Sequence, residues 1–110
     1  MTITYGMILQ YEATNSLADA YTVPANTSHI IGTIYMCNFT ASPVTITIKV
    51  AKAGAANANS QYIYATVTLD AYETKESTSG LSIEETDVIR IQASANNSVS
   101  VNLSGKTIYA

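Results

Sequence analysis

A chain of 110 residues is long enough for one domain that buries about two-thirds of its unfolded surface. Charged residues make up 12%, against ~25% in a typical soluble domain, and the net charge is −3. The basic residues Lys49, Lys52, Lys75, Arg90 and Lys106 are scattered, which argues against nucleic acid as a partner, the single Cys37 excludes an intrachain disulfide, and no apolar run approaches the ~20 residues of a membrane span.

Serine, threonine and asparagine stand where charges are usual, so part of the surface is expected to be covered by a partner. Residues 1–12 alternate, with Ile3, Tyr5, Met7, Leu9 and Tyr11 on one side, Thr2, Thr4, Gly6 and Gln10 on the other, and Ile8 as the apolar exception. The pattern predicts a strand, followed by a polar linker at Glu12–Ser16. Residues 1–17 are thus either an N-terminal arm ahead of a body spanning 18–110 or an ordinary edge strand of that body. If they are an arm, removing residues 1–12 leaves the rest folded. The opening residues lack the basic start and unbroken apolar core of a secretory signal, so synthesis in a cytoplasm is expected.

Asp19–Val23 reads as a short strand closed by a turn at Pro24. From His29 to Phe39 both faces are apolar, which predicts a central strand covered on both sides, with Gly32 marking a bulge or a close backbone approach. Pro43–Val50 sets Val44, Ile46, Ile48 and Val50 on one face and Thr45, Thr47 and Lys49 on the other, a period of two that predicts a central, half-buried strand. Ala53–Ser60 (AGAANANS) has nothing to bury and reads as a mobile loop. Gln61–Leu69 is read with Ile63, Ala65, Val67 and Leu69 inward and Tyr62 and Tyr64 outward. Tyr72–Thr78 reads as a charged edge strand ended by Ser79-Gly80. Two further strands follow at Val88–Ala93 and Val99–Ser104, and Gly105-Lys106 precedes a last apolar pair, Ile108 and Tyr109. About eight short strands with regular turn signals predict an all-β, single-domain antiparallel sandwich, immunoglobulin-like or jelly-roll-like.

The residues offer little chemistry. His29 and Cys37 are eight apart on one strand, roughly 26 Å in extended chain, too far for a nucleophile–base pair. Glu84, Glu85 and Asp87 form the densest acidic group, in a spacing that fits no EF-hand, and solvation of a turn accounts for them. The Asn-X-Ser/Thr triplets at Asn26, Asn38, Asn96 and Asn102 follow from the abundance of those residue types. No phosphate loop, zinc spacing or nucleophile elbow is present, so the expectation is a non-enzyme with no cofactor, no catalytic residue and no metal. The candidate partner-binding residues are Ile3, Tyr5, Met7, Leu9, Tyr11, Tyr62 and Tyr64; the last two also suit a carbohydrate-binding module.

Residues Tyr21–Val50, YTVPANTSHIIGTIYMCNFTASPVTITIKV, resemble the small β-sandwich virion proteins of tailed bacteriophages. Val23-Pro24-Ala25-Asn26-Thr27, Cys37-Asn38 and Pro43-Val44-Thr45-Ile46-Thr47 carry the resemblance, with a D-x-I-R-I-Q-A-S core at Asp87–Ser94. It spans residues 20–104 and leaves 1–17 unmatched. It implies a capsid decoration (cement) protein on the virion exterior, bound to the major capsid protein or other virion proteins and homo-oligomeric as a trimer or dimer. A tail, tail-fibre or baseplate component is the alternative it also implies.

Overall fold

In the computed structural model, which describes residues 1–110, the chain forms eight strands: β1 (Thr2–Glu12), β2 (Ala18–Thr22), β3 (Thr27–Asn38), β4 (Val44–Ala51), β5 (Tyr62–Leu69), β6 (Thr74–Glu84), β7 (Val88–Ala93) and β8 (Val99–Tyr109). All pair antiparallel: β4 with β5, β3 with β6, β2 with β7 and β1 with β8. These four pairings describe one long hairpin whose tip is the β4–β5 connection. Two further pairings, β3 with β8 and β4 with β7, roll it into two sheets with orders β1-β8-β3-β6 and β2-β7-β4-β5. An immunoglobulin sandwich keeps its first two strands in one sheet. Here β1 and β2 lie in different sheets, and the rolled hairpin is a jelly roll.

The core is the expected seam of branched aliphatics. Val44, Ile46 and Ile48 of β4 join Ile89 and Ile91 of β7 and Leu69 of β5. Facing them are Ile31, Ile34 and Met36 of β3, Val99, Val101 and Leu103 of β8, and Ile83 of β6. Each fully buried side chain of this kind contributes roughly 1.5–3 kcal/mol.

Strict alternation fails at several bulges, and three of them move side chains to the other face. In β1 the register shifts between Met7 and Leu9, so Ile8, Leu9 and Tyr11 pack on the core while Ile3, Tyr5 and Met7 face outward. In β3 the shift falls at Gly32, which puts His29 on the inner face and Cys37 on the outer one. In β5 Ala65 and Thr66 together stand opposite the single Thr47 of β4, one residue extra, which turns Tyr64 inward, where its hydroxyl donates to Ser77 Oγ on β6. Ser79-Gly80 does not end a strand, as the sequence suggests, but lies within β6 opposite the β3 bulge. Gly105 is likewise inside β8, pressed so close to β3 that a Cβ there would stand 2.1 Å from the Ile30 carbonyl oxygen.

Residues 1–17 are not a separate unit in the single chain. β1 is an edge strand paired with β8 along its length, and the connection to β2 is stitched to both sheets by Ala13 N–H to Val99 O (2.9 Å) and Ala93 N–H to Thr14 O (2.8 Å). At the opposite crossing, Asn38 is fully buried. Its Nδ2 donates to the carbonyls of Ser42, Leu69 and Asp70, and its Oδ1 accepts from Thr40 N–H and Thr40 Oγ1. One side chain thus ties the β3–β4 turn to the β5–β6 turn, and its amide nitrogen has no room for a glycan.

Candidate binding surface

The small residues of Ala53–Ser60 fold across the outer face of the second sheet rather than hanging free. Arg90 Nη1 donates to the Ala55 carbonyl (2.9 Å), Gln61 Nε2 to the Ala56 carbonyl (2.8 Å), and Ala53 N–H to Asp87 Oδ1 (2.9 Å). Beneath this cover Lys49 is 3% exposed; its ammonium donates to Asn57 Oδ1 and lies 4.1 Å from the centre of the Tyr62 ring. A side chain read from sequence as an outward lysine is therefore buried with neutral and aromatic partners in place of an anion.

The carboxylates are equally occupied. Asp87 accepts N–H groups from Ala53 and Glu84, Glu85 accepts from Asn26 N–H, and Glu84 pairs with Lys52, whose pKa that hydrogen bond holds above the usual value. His29 is buried, with Nε2 2.7 Å from the Tyr21 hydroxyl and Nδ1 3.0 Å from Thr107 Oγ1. Burial holds the imidazole pKa below 6.5, and burial, with Tyr109 nearby, holds Tyr21 above 10.0. A recess of about 620 Å³ lies at this end of the sandwich among His29, Ile83, Asp87 and Lys52, whose polar groups all bond within the protein.

The first sheet's outer face is different. Tyr5 is 79% exposed and Met7 54%, with Ile3, Ile30 and Tyr35 also open to solvent. Tyr5 pairs with Lys106, and Lys106 in turn with Ile30, so the three sit in a row; Ile3 and Ile108 form the next pair. Between them runs an open trough of about 460 Å³, with Tyr5, Ile30 and Lys106 at its sides and Gly6, Gly32 and Gly105 in its floor. The glycines come from three adjacent strands: Gly32 is the bulge in β3, Gly105 faces it from β8, and Gly6 pairs with Gly105 from β1. A floor of bare backbone admits the side chains of a partner.

The seven candidate residues therefore divide. Ile3, Tyr5 and Met7 share this exposed face; Leu9, Tyr11 and Tyr64 are packed against the core; Tyr62 is on the outer face of the other sheet under Lys49. Reading the chain alone missed Ile30, Ile108 and Lys106. The signal for Ile30 was present in the doubly apolar stretch His29–Phe39, whose outer side the single chain leaves uncovered. A scan of known protein families finds none that matches the chain, and no curated protein matches it either.

Proposed function

We propose that the chain is a non-enzymatic structural protein of a tailed-phage virion, a decoration protein on the capsid exterior that bridges neighbouring major capsid protein subunits. The observation that carries this reading is the bare outer face of the first sheet, where Ile3, Tyr5, Met7 and Ile30 are exposed and Tyr5 and Ile30 flank a glycine-floored trough. Exposed apolar patches of this kind on small domains mark sites of contact with other proteins. The motifs at Val23–Thr27, Pro43–Thr47 and Asp87–Ser94 add the resemblance to virion proteins. The jelly roll itself is only an analogy, since viral shells and lectins share it with many unrelated proteins.

The test is tag-directed gold labelling of purified virions by electron microscopy, using a tagged copy expressed during infection of the bacterial host. Label over the capsid is the expected result; label over the tail assigns the chain to the tail or its fibres, and unlabelled particles overturn the virion role. Ile30→Asp, in the wall of the trough, is expected to remove the label while leaving the far-ultraviolet circular dichroism spectrum unchanged.

A further inference from the structure

We propose that two copies of this chain join through their β1 edges, running antiparallel about a two-fold axis at Tyr5. The two first sheets then become one eight-stranded sheet in the order β6-β3-β8-β1-β1-β8-β3-β6. The inference deepens the assembly reading above by naming a second copy as the partner, and it is drawn from the isolated chain alone.

Four strand edges are open in a jelly roll, and three are defended against stray pairing. β2 has only five residues and a register shift of its own. β5 is interrupted by the Ala65–Thr66 bulge, where Thr66 takes a φ of 46°. β6 bears Lys75, Glu76 and Glu84 and is bulged at Ser79-Gly80. β1 has a register shift too, between Met7 and Leu9, but Thr2 to Tyr11 carry no charge and no proline, and Thr2–Met7 pair with β8 without interruption. Natural edge strands are seldom left so unguarded unless something pairs with them.

The edge is also complementary to itself. In a two-fold antiparallel pair, residues directly opposite share a face, so odd positions of β1 meet odd positions of the copy. With Tyr5 on the axis, Tyr5 meets Tyr5, Ile3 meets Met7, and Thr4 meets Gly6. Every exposed apolar side chain of Thr2–Met7 gains an apolar neighbour, and none meets a charge. The closest like charges, the two Lys106 ammoniums, are on strands three spacings apart, about 14 Å, beyond the ~8 Å over which physiological salt screens them. Glu76 and Glu84 end up at the far margins of the joined sheet. A pairing of about six residues lies at the small end of specific interfaces, so the association depends on concentration.

Sedimentation velocity on the full chain from micromolar to several hundred micromolar tests this. A monomer–dimer equilibrium is expected, weakened at least tenfold by Tyr5→Lys and unchanged by Tyr72→Lys, a control at another exposed tyrosine. Because Tyr5 is on the axis, Tyr5→Cys in a Cys37→Ser background is expected to crosslink to its copy on mild oxidation, whereas Thr78→Cys on the β6 edge is not. A wild-type chain that stays monomeric, a trimer, a dimer indifferent to Tyr5→Lys, or equal crosslinking at both positions overturns the proposal. A monomer that still labels capsids leaves the virion role standing, and a dimer absent from virions does the reverse.

Discussion

The two sheets meet through the same kind of inner face and treat their outer faces in opposite ways. The second sheet is roofed by its own chain: Ala53–Ser60 lies over Lys49 and is held by Arg90, Gln61 and Asp87. The first sheet has no such roof: Tyr5, Met7, Ile3 and Ile30 stand in solvent, and Tyr5 and Ile30 flank the floor of glycine. The comparison teaches that apolar content does not decide which face is covered. The covered face is mostly polar, and a loop of small residues suits it because short side chains let the Ala55 carbonyl reach Arg90 and the Asn57 amide oxygen reach the buried Lys49. The bare face is the more apolar of the two, which is the arrangement expected where the missing cover is another molecule.

The largest effect is expected at the crossing that holds the two sheets to each other. Asn38→Ala leaves the buried Leu69 carbonyl, the part-buried Ser42 and Asp70 carbonyls and the part-buried Thr40 N–H without this partner, at up to ~1–3 kcal/mol for a buried group, and a loss of about 2–3 kcal/mol in urea unfolding is expected. A variant that loses less than about 1 kcal/mol would show that the crossing relaxes or admits water.

Within the bare sheet, Gly105→Ala forces the β3 and β8 backbones apart and is expected to cost about 1–3 kcal/mol, whereas Gly80→Ala, with nothing within 4 Å, should stay within about 0.5 kcal/mol of the parent. Equal unfolding midpoints for the two would mean that the glycine floor is not held by close packing. On the roofed side, Arg90→Ala removes the hydrogen bond to Ala55 and the 2.8 Å ion pair with Asp19. The expected outcome is about 1–2 kcal/mol of destabilisation together with faster proteolytic cleavage within Ala53–Ser60. Unchanged cleavage would mean that the roof is held without Arg90.

The smallest expected effect is set by pH at the end of the sandwich. Burial keeps His29 neutral, so its folded pKa lies below the unfolded value of 6.5. Below pH ~6.5 the unfolded chain then binds a proton that the native chain does not, and stability falls as pH drops through that window and is full above it. Thermal unfolding of wild type and His29→Gln between pH 5 and 8, on the order of the histidine range, checks the sign. A wild-type slope no steeper than that of the variant would refute it.

Much of the architecture was legible in the residues. Alternating β-branched positions in Pro43–Val50 and Val99–Ser104, with turn residues between, suffice for an all-β sandwich of about eight strands, because a period of two has no other way to bury one face. Gly32 likewise announced its bulge. Part of the candidate surface was legible too, in Ile3, Tyr5 and Met7. What misled was the assumption that alternation runs unbroken: Leu9, Tyr11 and Tyr64 change face at bulges in β1 and β5, and those bulges exist to keep register with neighbouring strands.

Local pattern by itself therefore determined that this chain forms strands, roughly where they lie, and which aliphatics of β4, β7 and β8 form the seam, because those outcomes depend on side-chain periodicity and backbone preference within a few residues. It did not do so in β5, where Ile63 and Ala65, read as inward, are exposed. Only the tertiary structure decided that the hairpin rolls into a jelly roll, that Ala53–Ser60 roofs one sheet, and that Gly6, Gly32 and Gly105 meet on the other. Those outcomes are fixed by pairings between residues far apart in the chain, such as β1 with β8, whose register no local window contains.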